Sequence, residues 1–312
     1  MAKNKSKALG RRQRLVIDRG VRWAVQIAFF VAFPAVFSAA FNGVKYVFTQ
    51  IGAMQPVSLS AFVTTLLAVL AFTVVFGRFF CGYACAFGTL GDALFTVFTP
   101  VRKKLGIGKK KPLLPAGMQR ALQLLKYVVL AAICVLCFAG MWSSVSGYSP
   151  WTAFAGIVAG NVDGISVGAF VAFGVVAVGM LFVERFFCQF LCPLGAVFSL
   201  LPVLPFSAFR RDVTRCAKGC GLCKRSCPVS VSPDPDAFAA SECISCGRCA
   251  DGCPLENVTL LRVPKPAVQE ELVQDSSVKK PVRKSPMSLR GTEVLLVLAK
   301  AAALFALCRM FM

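Results

Sequence analysis

The chain has 312 residues, 57% of them apolar, and 35 Lys and Arg against 14 Asp and Glu give it a formal net charge of +21. Its 15 cysteines stand beside no histidine at all, which excludes His-ligated haem, Rieske centres and mixed Cys/His zinc sites on this chain. The basic residues fall in blocks between apolar runs, as they do in loops beside a membrane, and require no nucleic-acid partner.

Residues 1–22 form a basic arm with Lys3, Lys5, Lys7, Arg11, Arg12, Arg14, Arg19 and Arg22. The next stretch, an apolar run from 23 to about 41, is too long for a signal-peptide core. It reads as an uncleaved first transmembrane helix, kinked at Pro34. Further runs over about 57–77, 121–142 and 164–183 match the roughly 20 residues that cross a bilayer core. Lys126, near one end of the third run, has the reach to snorkel to the surface.

The connecting segments sort by charge. Residues 42–56 hold one basic residue, Lys45, and 143–163 hold none, whereas 78–126 hold nine. The positive-inside rule then puts both ends of this four-helix unit in the cytoplasm, with Trp142, Tyr148 and Trp151 at the outer interface. The expected location is the cytoplasmic (inner) membrane, multi-pass, with the N-terminus and any metal centres on the cytoplasmic side.

Residues 23–209 also contain an internal repeat. Arg78-Phe-Phe-Cys81, followed by Cys85 and Gly88, returns as Arg185-Phe-Phe-Cys188, followed by Cys192 and Gly195, with a constant offset of 107. Each copy comes after a hairpin of two membrane helices in the same orientation, which makes a parallel repeat.

From 210 to 264 the sequence is polar and rich in Gly and Cys. Cys243-x-x-Cys246-x-x-Cys249-x-x-x-Cys253-Pro254 has the spacing of a bacterial ferredoxin run, in which three thiolates hold one cubane and the fourth reaches the other. Its partner is Cys216-x-x-x-Cys220-x-x-Cys223-x-x-x-Cys227-Pro228, whose first gap is one residue longer than usual. Cross-ligation predicts one 4Fe-4S cluster on Cys216, Cys220, Cys223 and Cys253, and a second on Cys243, Cys246, Cys249 and Cys227. Structural zinc favours two knuckles with a long spacer, and disulfides favour an oxidising compartment, so both fit less well.

Residues 265–291 read as a flexible linker. The apolar tail, 292–312, carries Lys300 at its centre and Arg309 near its end. It suits either a fifth span or an interfacial helix, and a fifth span would carry Arg309 outside, so the charge rule favours the interface.

The pairs Cys81/Cys85 and Cys188/Cys192 leave three readings open. Residues four apart share a helix face, and the repeat brings the two pairs towards each other at the cytoplasmic membrane surface. There they could hold a third redox site such as another cluster, cycle between thiol and disulfide, or simply pack. Cys134, Cys137 and Cys308 lie in apolar helices and read as packing residues.

Two hairpins, each trailed by a cysteine pair and a glycine, and then two ferredoxin runs resemble the NapH/NosR-type membrane 4Fe-4S proteins over about residues 15–262. The family's C-x-x-x-C-Pro holds at Cys188, Cys192 and Pro193, but Ala86 replaces the proline after Cys85. The resemblance implies an integral membrane, all-α protein with a cytoplasmic two-cluster ferredoxin-like domain. It further implies a redox subunit of a quinol dehydrogenase-type complex, taking electrons from quinol and handing them to a partner redox protein, with a bound quinone as a further cofactor. Asp92 and Glu184 are then the nearest candidates for proton acceptors, against the plainer role of partners for Arg78 or Arg185. A different class of reading is a redox-sensing or metalloenzyme-maturation factor that uses the clusters and the paired thiols.

Overall fold

A computed structural model of the chain describes residues 2–106, 116–202, 204, 208–211, 216, 220–231, 233, 241–255, 258–260 and 289–311. The predicted linker, 265–291, lies outside them except for its last residues, 289–291, which open the final helix. The described chain is helical apart from a two-residue antiparallel ladder, β1 (Arg210–Arg211) on β2 (Val258–Thr259), with Arg210 opposite Thr259.

The basic arm and the first apolar run form one helix, α1 (Ala2–Ala32). The chain breaks at Pro34 and continues as α2 (Val36–Gly52), bent by 62° from α1. A ring without an N–H removes one rung of the helix ladder, so the predicted kink is a full break. Then come α3 (Ala61–Phe76), a π-helical turn (Phe80–Ala84), α4 (Ala86–Lys104) and α5 (Ala116–Phe138). Two short helices, α6 (Trp142–Ser146) and α7 (Pro150–Ala159), lead into α8 (Val167–Phe182). Beyond α8, the turn of α9 (Phe186–Phe190) and then α10 (Pro193–Leu200) mirror the π-helical turn and α4 that come after α3.

Among the described residues two helices, Gly117–Phe138 and Glu293–Phe311, are long and apolar enough to cross a membrane, and the bent pair α1–α2 makes a third if it is one span. The predicted second and fourth spans are shorter than expected. α3 and α8 have 16 residues each, about 24 Å of helix at 1.5 Å per residue. Gly77, at φ +72°, ends the first, and Arg185, at φ +54°, comes shortly after the extended Val183 that ends the second.

The tail is α13 (Leu289–Phe311), and it does not lie apart from the bundle. Lys300 sits 5.7 Å from the centre of the Phe76 ring, and Thr65 donates to the Phe311 carbonyl, so α13 runs antiparallel along α3. Phe305 packs edge-on against Phe29 and Phe33 of this first stretch of chain. This is the packing of a bundle member, and it differs from the interfacial placement that Arg309 favoured. Lys300 is buried and takes an aromatic face in place of water.

Close approach between helices depends on small residues and ring packing. A β-carbon on Gly43 would stand 2.5 Å from the Phe62 carbonyl oxygen, so only glycine lets α2 lie this near α3. Phe37, Phe87 and Phe187 meet between the repeats, with ring centres 4.6 to 6.0 Å apart. The core built on these rings continues into Val229, Ile244 and Cys246, so the Cys-rich region is seated on the helices.

Candidate iron–sulfur centres

The second half of the Cys-rich region is built by α11 (Leu222–Arg225) packed on α12 (Arg248–Gly252). Gly252 faces Ser226, where a side chain of any size would push the two turns apart. This contact lays the two cysteine runs side by side. Cys227 leaves its own run and joins Cys243, Cys246 and Cys249 around one cavity, otherwise lined mainly by Phe209, Val229, Val231 and Ile244. The predicted cross-run set is therefore brought together in space. Burial pushes the Cys227 thiol up to about 12, with the neighbouring Cys246 and Cys243 adding to it. Cys243 and Cys249 are raised by the same two causes, burial first. Four thiols facing one apolar hollow suit bound iron, which would take the place of their protons.

Of the other predicted set, Cys216 lies within electrostatic reach of Cys223, and Cys253 packs in the same small apolar cluster as Cys223. Cys220 is half-buried at the start of α11. Among the described residues, no three Cys, Asp or Glu side chains converge closely enough to hold a single metal ion.

Polar side chains of the helices seat this region. Glu242, beside Cys243, accepts from Arg78 at 2.9 Å and from Lys126 at 2.5 Å, and all three are buried. Burial would raise the Glu242 carboxyl, but the two cations overcome that and hold it below its usual value. Lys126 thus turns inward to an anion and does not snorkel. Gln189 and Gln123 donate to the carbonyls of Pro228 and Val229, just after Cys227. Arg22 pairs with Asp251 at 3.0 Å.

The paired cysteines of the repeats converge as well. Cys81, Cys85, Cys188 and Cys192 are all buried, and each of the four lies within electrostatic reach of others in the set. Asp92 is bound by Arg185 at 2.9 and 2.6 Å and by Gln26 at 2.8 Å, and Glu184 is paired with Arg248. Asp92 thus has the plainer role of partner to Arg185, whereas Glu184 pairs with Arg248 and with neither of the two expected arginines. Cys137 and Cys308 are buried among apolar side chains, while Cys134 is half-buried.

The family model described as a 4Fe-4S binding domain matches residues 59–108 and 165–208. The ferredoxin-type protein NapH of Haemophilus influenzae is 30% identical over 59% of this chain and 62% of its own length. The regulatory protein NosR of Pseudomonas aeruginosa is 26% identical over 56% of this chain, which spans about a quarter (24%) of NosR. The chain is a relative of the NapH/NosR-type 4Fe-4S proteins. An uncharacterized protein of Methanocaldococcus jannaschii is also 27% identical over 63% of this chain and 77% of that one. No solved structure matches the chain. The two matched segments of this NapH/NosR relative are the two copies of its internal repeat, and they hold both cysteine pairs.

Sequence reasoning missed the residues that seat the Cys-rich region. Gln123 is one of two amides in α5, and Glu242 lies 116 residues from Lys126 and 164 from Arg78. For Gln123 the signal that could have found it was a polar group at the edge of an apolar stretch, whereas Glu242 lies in a polar region where nothing local marks it.

Proposed function

We propose that the protein is a membrane-anchored electron-transfer subunit that passes electrons, from quinol, through two 4Fe-4S clusters to a partner redox protein. In this reading the four predicted runs span the membrane, and the N-terminus and both clusters face the cytoplasm. The observation that carries it is the socket in which Cys227 of one run joins Cys243, Cys246 and Cys249 of the other. When bound there, such clusters supply one-electron storage and transfer at potentials set by their surroundings. The residues of the chain do the rest. Thiols fix the irons, Phe209, Val229 and Ile244 exclude water, and Glu242 locks the region to the helix bundle.

Support for quinol is a cleft beside Cys246, where α1, the π-helical turn and α13 meet the Cys-rich region. It is lined by Val21, Arg22, Tyr83, Gly247, Glu293 and Val297. An apolar wall with a phenol and carboxylates at its rim suits a ring that gives up two protons as it gives up two electrons. Tyr83 donates to the Cys246 carbonyl at 3.5 Å, so the cleft and the cluster socket share a wall. All four membrane cysteines are buried, which argues against thiol exchange with a client and so against the maturation-factor reading.

The test is anaerobic reduction of the purified protein by a short-chain quinol, followed by EPR and visible bleaching. Reduction within seconds, slowed at least tenfold in Val297→Trp with iron content unchanged, is the expected result. Failure of quinol to reduce clusters that dithionite reduces would overturn the quinol assignment.

A further inference from the structure

We propose that Lys300 of the tail helix is the buried counter-charge of the centre on Cys227, Cys243, Cys246 and Cys249, and that it raises the reduction potential of that centre. The proposal rests on the iron–sulfur reading above but does not depend on quinol, and Lys300 lies outside both copies of the repeat.

A count of buried charge singles this residue out. Among the described residues, four buried cations (Arg78, Lys126, Arg185 and Lys300) stand against two buried carboxylates (Asp92 and Glu242). Three of the four are accounted for. Glu242 accepts from Arg78 and Lys126, and Asp92 accepts from Arg185. The two arginines are also exchanged between the repeats. A β-carbon on Gly195 would stand 3.1 Å from Arg78 Nη2, and one on Gly88 would stand 2.7 Å from Arg185 Nη1. Each arginine thus fills the space that the other copy's glycine leaves open.

Lys300 differs from these three. Among the described residues no carboxylate pairs with it, although only 6% of it is exposed. Its ammonium lies over the Phe76 ring, which is a weaker partner than an anion. A cation within an apolar helix is costly, and it is kept where something negative faces it.

The direction of the helix says where that negative charge lies. α13 begins beside the Cys-rich region, where Glu293, Val294 and Val297 wall the cleft next to Cys246. Glu293, Val297 and Lys300 follow the i, i+4, i+7 spacing of one helix face. A helical side chain leans towards its own N-terminus, so this ammonium is carried towards the Cys-rich region and away from the far end of the bundle. Phe76, beneath it, comes just before Arg78, which donates to the Ser241 carbonyl at 3.2 Å and to Glu242. Lys300 is thereby brought to the layer of residues 241–243, and the acidic group within its electrostatic reach is Cys243.

A protonated thiol leaves Lys300 uncompensated. Four thiolates around an oxidised cubane carry net negative charge, and one more electron enlarges it. A fixed cation nearby favours the more negative form, so it makes the centre easier to reduce.

The experiment is a potentiometric EPR titration of the full protein, purified anaerobically in detergent, for the wild type, Lys300→Met and Lys300→Arg, with iron and sulfide counted in each. The centre is identified as the signal that Cys227→Ser removes. Met has nearly the shape of Lys without its charge. In Lys300→Met the reduction equilibrium of this centre should shift about tenfold towards the oxidised form, which for one electron is about 59 mV. Lys300→Arg should keep the wild-type potential, and the other centre should move less than this one. An unshifted potential in Lys300→Met, or the same shift in Lys300→Arg, would overturn the proposal and leave the iron–sulfur reading intact. A wild type without a signal that Cys227→Ser removes would overturn that reading and the proposal together. If Lys300→Met holds neither centre, Lys300→Gln is titrated in its place; loss of both centres there too would make the residue structural and overturn the proposal.

Discussion

Replacing Glu242 by Gln removes one negative charge from between two buried cations. The carboxylate lies 2.9 Å from Arg78 and 2.5 Å from Lys126, and none of the three side chains is more than 6% exposed. Breaking a buried pair by deleting one partner costs about 3–5 kcal/mol, because the remaining charge stays buried and uncompensated. Gln keeps an acceptor oxygen for one cation, so the lower end, about 3 kcal/mol, applies here. Since each 1.4 kcal/mol is a factor of ten, the Cys-rich region should come off the helices on the order of a hundredfold more often. Native-state proteolysis reads that open population directly when reclosing outpaces cleavage. Cleavage within residues 210–260 should accelerate by about that factor, with iron content measured alongside to exclude loss of a centre. A second substitution, Lys126→Met, should recover part of the loss by removing one stranded cation. A cleavage rate in Glu242→Gln equal to that of the wild type would refute the argument that this triad holds the region in place.

The same carboxylate gives a pH prediction. Its folded value is lowered, so its contribution is present above the ordinary glutamate value near 4.3 and lost only in acid; proteolytic protection should stay flat from about pH 8 to about pH 5. A protection midpoint near neutrality would contradict it. Gly82→Ala would drive a β-carbon into the Ile244 carbonyl, and it should slow internal electron transfer and lower thermal stability by about 1–3 kcal/mol, read by flash reduction and calorimetry. Cys227→Ser should abolish the EPR signal of the centre on Cys243, Cys246 and Cys249 and leave the other, whereas Cys253→Ser should do the reverse. Loss, in each variant, of the centre held by the substituted cysteine's own run would mean that the runs do not cross-ligate. Oxidative removal of iron with a chelator should lower the unfolding temperature by several degrees, since four separated thiols no longer share one tie.

The features legible in the sequence are those that depend on local spacing. The 107-residue offset, the two ferredoxin runs and the break at Pro34 are all set by residues within a turn or two of each other. The hydropathy runs located the bundle but not its true lengths, because Gly77 and the extended Val183 end α3 and α8 early. Lys126 looked like a residue bound for water, since its counter-ion, Glu242, is remote in sequence and only folding brings them together. Arg309 argued by charge alone for a tail lying in the interface, apart from the helices. Charge counting leaves out the apolar surface of α3 and α1, on which Phe305 and Lys300 find partners.

The crossed arginines make each half of the repeat dependent on the other. Arg78 fits only beside Gly195, and Arg185 only beside Gly88, and the Asp92 of the first copy is neutralised by the Arg185 of the second. A chain cut between the copies should give two fragments that are each unstable alone and that rescue one another when expressed together. Tolerance of substitution should be shared in the same way: a bulkier residue at position 88 is permitted only once position 185 has shrunk. Two copies of one sequence have in this manner become complementary parts of a single object, no longer interchangeable despite their likeness.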